Sequence, residues 1–268
     1  MKTLPFALCA FMVLAPIHAL AEQKTTAKTE QSKDSLVAQR DQRNKEQADQ
    51  YLTELNRAQG VALIDIANKI SGSGVVTPEL TAALKAKTAS LLAANTKYPK
   101  NKDTARELNA VTRAYGAMGY SAEAERLIRK VLDTSPSRGV RNRAVRLIPK
   151  LHWFSERNGI MKSMMYYKPG QAIETHRLMA LLSSDSPTFR RYGAEELNRQ
   201  GGADSEVYAL MAKVLEKDKY VKSGDALDAM AWYAKVLSIY AKSDYRDLLL
   251  AIKNDKTVSK KLRKYAKP

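Results

Sequence analysis

Apolar residues recur along this chain at spacings of three and four, and runs that alternate apolar with polar residues are nearly absent. That periodicity predicts helices, each with one face to bury, and no sheet. Leu80, Ala83, Leu84, Leu91 and Leu92 form one such stripe, Leu108, Val111, Ala114 and Tyr115 a second, and Ala124, Leu127, Ile128 and Val131 a third. Val207, Leu210, Met211 and Val214 mark a helix over 205–215. Leu227, Met230, Ala231, Ala234, Leu237 and Ala241 mark another over 225–241. Farther upstream, Tyr51, Leu52 and Leu55 open an apolar face that continues past a break at Gly60 through Val61, Leu63, Ile64, Ile66 and Ile70.

Local punctuation supports these assignments. Thr77-Pro78-Glu79 reads as a helix start, with a capping hydroxyl, a proline at the first helical position and an acid at the positive pole. Asn101 and Ser121 open the next two helices. Tyr98-Pro99, Gly119 and Ser135-Pro136 close theirs, and Ser71-Gly72-Ser73-Gly74 reads as a loop. The sequence therefore implies an all-α chain of stacked antiparallel helical hairpins, in which no hairpin buries its apolar face alone.

Two stretches resemble known repeats. From 105 to 138, Leu108, Val111, Tyr115, Gly119, Ala124, Ile128 and Pro136 fall where a tetratricopeptide repeat places its core, its turn and its terminal proline. Thr112 departs from that pattern, standing where the first helix has a small residue. Toward the C-terminus, Val140-Arg141-x-x-Ala144, Phe189-Arg190-x-x-Gly193-Ala194 and Leu262-Arg263-x-x-Ala266 each follow a polar turn. This is similar to HEAT-type repeats, and the likeness implies that each arginine holds the neighbouring turn. Together the resemblances imply an α-solenoid over 48–268 that offers a surface to another protein.

The chain ends look different. Met1-Lys2, an apolar stretch from Leu4 to Ile17, and Ala19-Leu20-Ala21 followed by polar Glu22 have the form of a signal peptide, 1–21, cleaved after Ala21. The apolar stretch is too short for a comfortable membrane span. Cys9 is the only cysteine and lies inside the leader, so the mature chain has no disulfide and rests on burial alone. Residues 22–47 are polar and charged, and are expected as a flexible tail, with a helix tolerated from about Ser35. Export to a periplasm is the expected fate, with no transmembrane segment in the mature chain.

Charge narrows the choice of partner. The chain has 45 basic and 28 acidic residues, a formal +17, of which the leader holds only Lys2. So basic a protein is drawn to anionic surfaces, and export makes nucleic acid the wrong one. The expected partners are another envelope protein or an anionic polymer such as peptidoglycan or lipopolysaccharide; simple solubility is the alternative use of the charge.

Candidate chemistry is sparse. His152 and His176 are the histidines left after the leader, without HExxH or cysteine, and no Gly-rich phosphate loop or G-x-S-x-G elbow occurs. No catalytic residue, cofactor or metal is expected. Met161, Met164, Met165 and Met179 suit either core filling or a Cu(I) site. Tyr166, Tyr167 and Lys168, beside a Lys-Pro-Gly turn and downstream of Trp153 and Phe154, form the richest aromatic region. It reads as a partner groove or as a seal between the two repeat types. Lys260, Lys261, Arg263 and Lys264 are either a binding patch or a solvated helix end. Arg138, Arg141, Arg143 and Arg146 do not share one helix face, which argues against a single phosphate site.

Overall fold

The computed structural model describes residues 17–268, with side chains from residue 34 onward. Residues 1–16 of the expected leader lie outside the described residues, as do the side chains at the expected cleavage site. The described chain is all-helical, with no strand among the described residues.

The helices are α1 (Ile17–Arg57), α2 (Gly60–Ser73), α3 (Pro78–Lys97), α4 (Lys102–Gly116), α5 (Ala122–Thr134) and α6 (Arg138–Leu147), then a 3-10 turn at Ile148–Lys150. There follow α7 (Leu151–Met161), α8 (Ile173–Leu182), α9 (Pro187–Gln200), α10 (Ser205–Asp218), α11 (Gly224–Tyr240), α12 (Arg246–Asn254) and α13 (Lys260–Tyr265). The expected starts are capped as their chemistry requires. The Thr77 hydroxyl accepts from the Leu80 N–H at 3.2 Å, the Asn101 carboxamide from Asp103 and Thr104, and the Ser121 hydroxyl from Ala124. Each cap satisfies an N–H that the first turn leaves without a helical partner.

Helices pack on their neighbours and on the element after next. The second relation joins α2 to α4, α4 to α6, α9 to α11 and α11 to α13. It builds a repeat-like stack in which even-numbered helices of the first half and odd-numbered helices of the second lie side by side. Small residues set the closest approach: a Cβ on Gly116 of α4 would stand 2.9 Å from the Leu147 side chain of α6. One apolar core runs from Ala48 to Phe154 and a second from Leu178 to Ala266. Between them Met161, Leu181 and Phe189 form a small cluster, with Trp153 packed against it and against the first core. Within such cores, truncating a leucine to alanine costs about 2–5 kcal/mol.

Three expectations need correction. Ser71–Ser73 are helical, and only Gly74 leaves the helix, at φ +71, as the left-handed cap of α2. A Cβ there would overlap the Met161 sulfur at 2.6 Å, so the glycine admits both the turn and α7. Val61 does not join the apolar face; it is 74% exposed at the start of α2. Residues 22–47, expected as a flexible tail with a helix tolerated from about Ser35, belong to α1 throughout. Arg40 donates to the Lys162 carbonyl at 2.6 Å, Arg43 donates to the Gln171 carbonyl, and Asn44 and Gln47 accept from Arg177 of α8. Polar side chains, rather than an apolar stripe, fasten this part of α1, which is why composition alone reads as tail. Among the described residues no helix is long and apolar enough to cross a membrane.

Candidate functional site

A cleft of about 660 Å³ opens between α4, α6, α7, α9 and α11. Its wall begins on α4 with Asn109, Thr112 and Arg113, and continues through Val140, Arg143, Ala144, Arg146 and Leu147 of α6. Pro149 and Lys150 of the 3-10 turn follow, then Trp153 and Phe154 of α7; Thr188, Arg191, Tyr192 and Glu195 of α9 and Asp225 of α11 close the far side. The floor is apolar and recessed. Trp153 stacks on Phe189 at 5.3 Å and meets Phe154 and Tyr192 edge-on, each at 5.1 Å.

The floor is fixed from below by Arg157, which is 0% exposed. Its guanidinium donates to the Ser71 carbonyl at 2.7 Å and the Ala117 carbonyl at 3.3 Å, both at the C-terminal ends of helices, where the dipole is negative. Further bonds go to the Asn158 carboxamide oxygen and the Tyr192 hydroxyl, and the cation lies 4.8 Å from the Phe154 ring centre. Burial pulls this guanidinium below its ordinary pKa, with the Tyr192 hydroxyl opposing; an arginine stays charged nonetheless. Arg157 thus locks Trp153, Phe154 and Tyr192 in place while holding α2, α4, α7 and α9 together.

The rim is basic. Arg113, Arg143 and Arg146 and Lys150 enter no salt bridge among the described residues. Arg191 is different: Glu195 accepts from it at 2.7 Å and Asp228 at 3.3 Å, and the Glu195 bond holds its pKa above the ordinary value. Asp225 accepts a hydrogen bond from Thr188 at 3.1 Å. The two acids of the cleft are therefore engaged and the four cations are not. Within the wall, the Asn109 carboxamide oxygen and the Thr112 hydroxyl have no hydrogen-bond partner among the described residues.

A smaller cleft of about 170 Å³ shares Arg191 and is lined by Asp228, Ala231, Trp232, Lys235, Lys261 and Tyr265. Lys235 lies 4.0 Å over the Trp232 ring, and Lys261 pairs with Asp228.

The residues singled out from sequence fall mostly elsewhere. Tyr166 packs against the second core, and Tyr167 is buried edge-on to His176. Lys168 pairs with Glu206 at 2.7 Å. None of the three lines either cleft; of the aromatic region, Trp153 and Phe154 do, and Trp153 also packs against both the first core and the small cluster beside it. Lys261 reaches the smaller cleft. Lys260 is exposed, Lys264 lies 5.8 Å from the Tyr265 ring centre, and Arg263 donates to the Val258 carbonyl. Met161 and Met179 are buried in different clusters and Met165 is 76% exposed. Among the described residues no three of His, Cys, Asp or Glu are grouped to hold a metal ion.

The four arginines of 138–146 divide. Arg141 turns back to the Ser135 and Pro136 carbonyls, while Arg143 and Arg146, three residues apart, both face the cleft. Arg113, Lys150 and Arg157 were missed because each reads, in sequence, as an ordinary solvated charge. No protein-family model, curated protein or solved structure matches the chain.

Proposed function

We propose that this chain is a non-catalytic periplasmic scaffold that docks another envelope protein in the cleft between α4, α6, α7 and α9, after removal of residues 1–21. One observation carries the reading: an aromatic floor, held rigid by a buried guanidinium, under a rim of four cations that have no carboxylate of their own. Rigid aromatic anchors with arginine around them are the composition of binding hot spots. The engaged state of Glu195 and Asp225 speaks against a carboxylate pair doing acid–base work there.

A photo-crosslinking residue placed at Lys150 in living cells tests this. The expected result is one protein, identified by mass spectrometry, that is lost when Arg143 and Arg146 are reversed to glutamate, together with a mature N-terminus at Glu22. Recovery of the uncleaved chain in the cytoplasm, or crosslinks indifferent to the two arginines, would remove the reading.

The excess of unpaired cations also favours a second reading, an envelope-binding module for anionic peptidoglycan or lipopolysaccharide. A contact driven by charge alone collapses in a few hundred millimolar salt, where the Debye length is well under about 8 Å; a contact seated on the aromatic floor survives.

A further inference from the structure

We infer that the natural occupant of this cleft is an extended acidic segment of a polypeptide carrying one large apolar side chain; the inference rests on the docking role given to the cleft above. Three observations point to that chemistry. First, the unpaired rim cations come from three elements, Arg113 on α4, Arg143 and Arg146 on α6, and Lys150 on the 3-10 turn. Cations distributed in this way suit several single carboxylates along a chain better than one compact phosphate. Guanidinium in particular matches carboxylate through paired hydrogen bonds.

Second, the floor is recessed. None of the large apolar side chains that are more than half exposed, such as Val61, Val145, Met165 and Ile239, lines the cleft. A flat lipid surface has no apolar prominence to meet here, whereas a single side chain entering from a narrow strand reaches Trp153. Third, Arg191 also lines the smaller cleft that holds Trp232 and Tyr265, so a chain leaving the first cleft finds a second aromatic recess beside it.

The test uses the full mature chain with Trp232→Phe, leaving Trp153 as the fluorescent reporter of the floor. The probe is a synthetic peptide in which glutamates flank a single phenylalanine. Binding with a change in Trp153 emission is expected. Exchanging the phenylalanine for alanine, or the glutamates for lysines, should each weaken it by about tenfold or more. Arg143→Glu with Arg146→Glu should do the same, whereas Lys260→Glu with Lys264→Glu, an equal change of net charge outside the cleft, should leave affinity within about twofold.

Equal losses from the two charge-reversal pairs would overturn the inference, because net charge and not the cleft would be the attractant. So would binding of phosphatidylglycerol vesicles through Trp153 with no response to the peptide. Should the crosslinks at Lys150 identify a partner while no acidic peptide binds, the ligand class is wrong and the scaffold role stands. Peptide binding without any crosslinked protein would be the converse.

Discussion

Among the described residues two arginines are buried, Arg157 under the cleft and Arg177 at the foot of α1, and neither forms a salt bridge. Their acceptors differ in kind. Arg157 gives two of its five hydrogen bonds to main-chain carbonyls at Ser71 and Ala117, whose positions are set by α2 and α4 as wholes, and the others to Asn158 and Tyr192. Arg177 is held by side-chain amides, Gln47 at 2.6 Å and Asn44, both on α1, with Glu174 supplying further negative potential. Burial holds both guanidiniums below their ordinary pKa. The contrast separates two ways of tying a chain together. A cation anchored on backbone cannot lose its partners without the surrounding helices moving. One anchored on amides loses them when a single helix lifts. The Arg157 joint therefore belongs to the global fold, and the Arg177 joint to the seating of α1.

Arg157→Met breaks the first joint and is the most damaging change expected. It strands the Ser71 carbonyl and the Asn158 oxygen and leaves the Ala117 carbonyl with the Asn158 amide alone, at a cost of about 3–5 kcal/mol, read as a lower urea midpoint. Arg157→Lys should restore little, since an ammonium has neither the planar fork nor the stacking face. Arg177→Met should cost less, about 1–3 kcal/mol, and the loss should be local. Amide exchange should rise over 36–50 and 163–177, with 105–134 unchanged. Equal exchange across the whole chain in both variants would erase the distinction between the joints.

A third expectation concerns His176, next to Arg177. Burial lowers its pKa most, with the Ser163 carbonyl opposing and Arg177 and Arg40 assisting. Its Nε2 donates to the Ser163 carbonyl, and Nδ1 is buried without a partner. The folded state thus favours neutral imidazole, and the unfolded chain binds the proton more readily. The stabilisation is present above about pH 6.5 and is lost as pH falls through the depressed folded value, with a slope of at most about 1.4 kcal/mol per pH unit. His176→Asn should flatten urea midpoints across that window, and the acid-labile exchange should map to α1 and α8 rather than to Arg157. The smallest effect is a baseline: Glu125→Gln, breaking the exposed pair with Arg129, should change stability by about 0.5 kcal/mol or less.

What the sequence disclosed and what it hid divide along the same line. Thr77, Asn101 and Ser121 act within three residues of themselves, so their caps are legible from spacing alone. So are the closing signals at Pro99, Gly119 and Pro136, and the stripes on α3, α4 and α5. Arg157, by contrast, meets carbonyls 86 and 40 positions away, and an arginine inside an amphipathic helix looks solvated until the neighbouring helices are placed. The cleft was hidden for the same reason. Arg113, Arg146 and Lys150 converge only through the stacking of α4 on α6, and the periodic signal says which face of each helix is buried but not which open faces come together. Tyr166 and Tyr167 were attractive for their density of rings, yet density marked a covered turn. The polar register of α1 hid its docking, because its partners are two carbonyls between α7 and α8 and an arginine on α8.

The position of those partners orders events in time. Arg40 awaits the Lys162 carbonyl and Gln47 awaits Arg177, contacts separated by 122 and 130 residues. A chain that emerges from its N-terminus first must carry the polar part of α1, 34–47, unfastened until more than half its length has followed, while Ala48, Tyr51 and Leu55 can already join the first core. Closing so long a loop is slow relative to pairing adjacent hairpins, so α2 to α6 can assemble while that part of α1 is still at large. A leading segment fastened by amides and guanidiniums tolerates that delay in water, where an apolar one would invite aggregation.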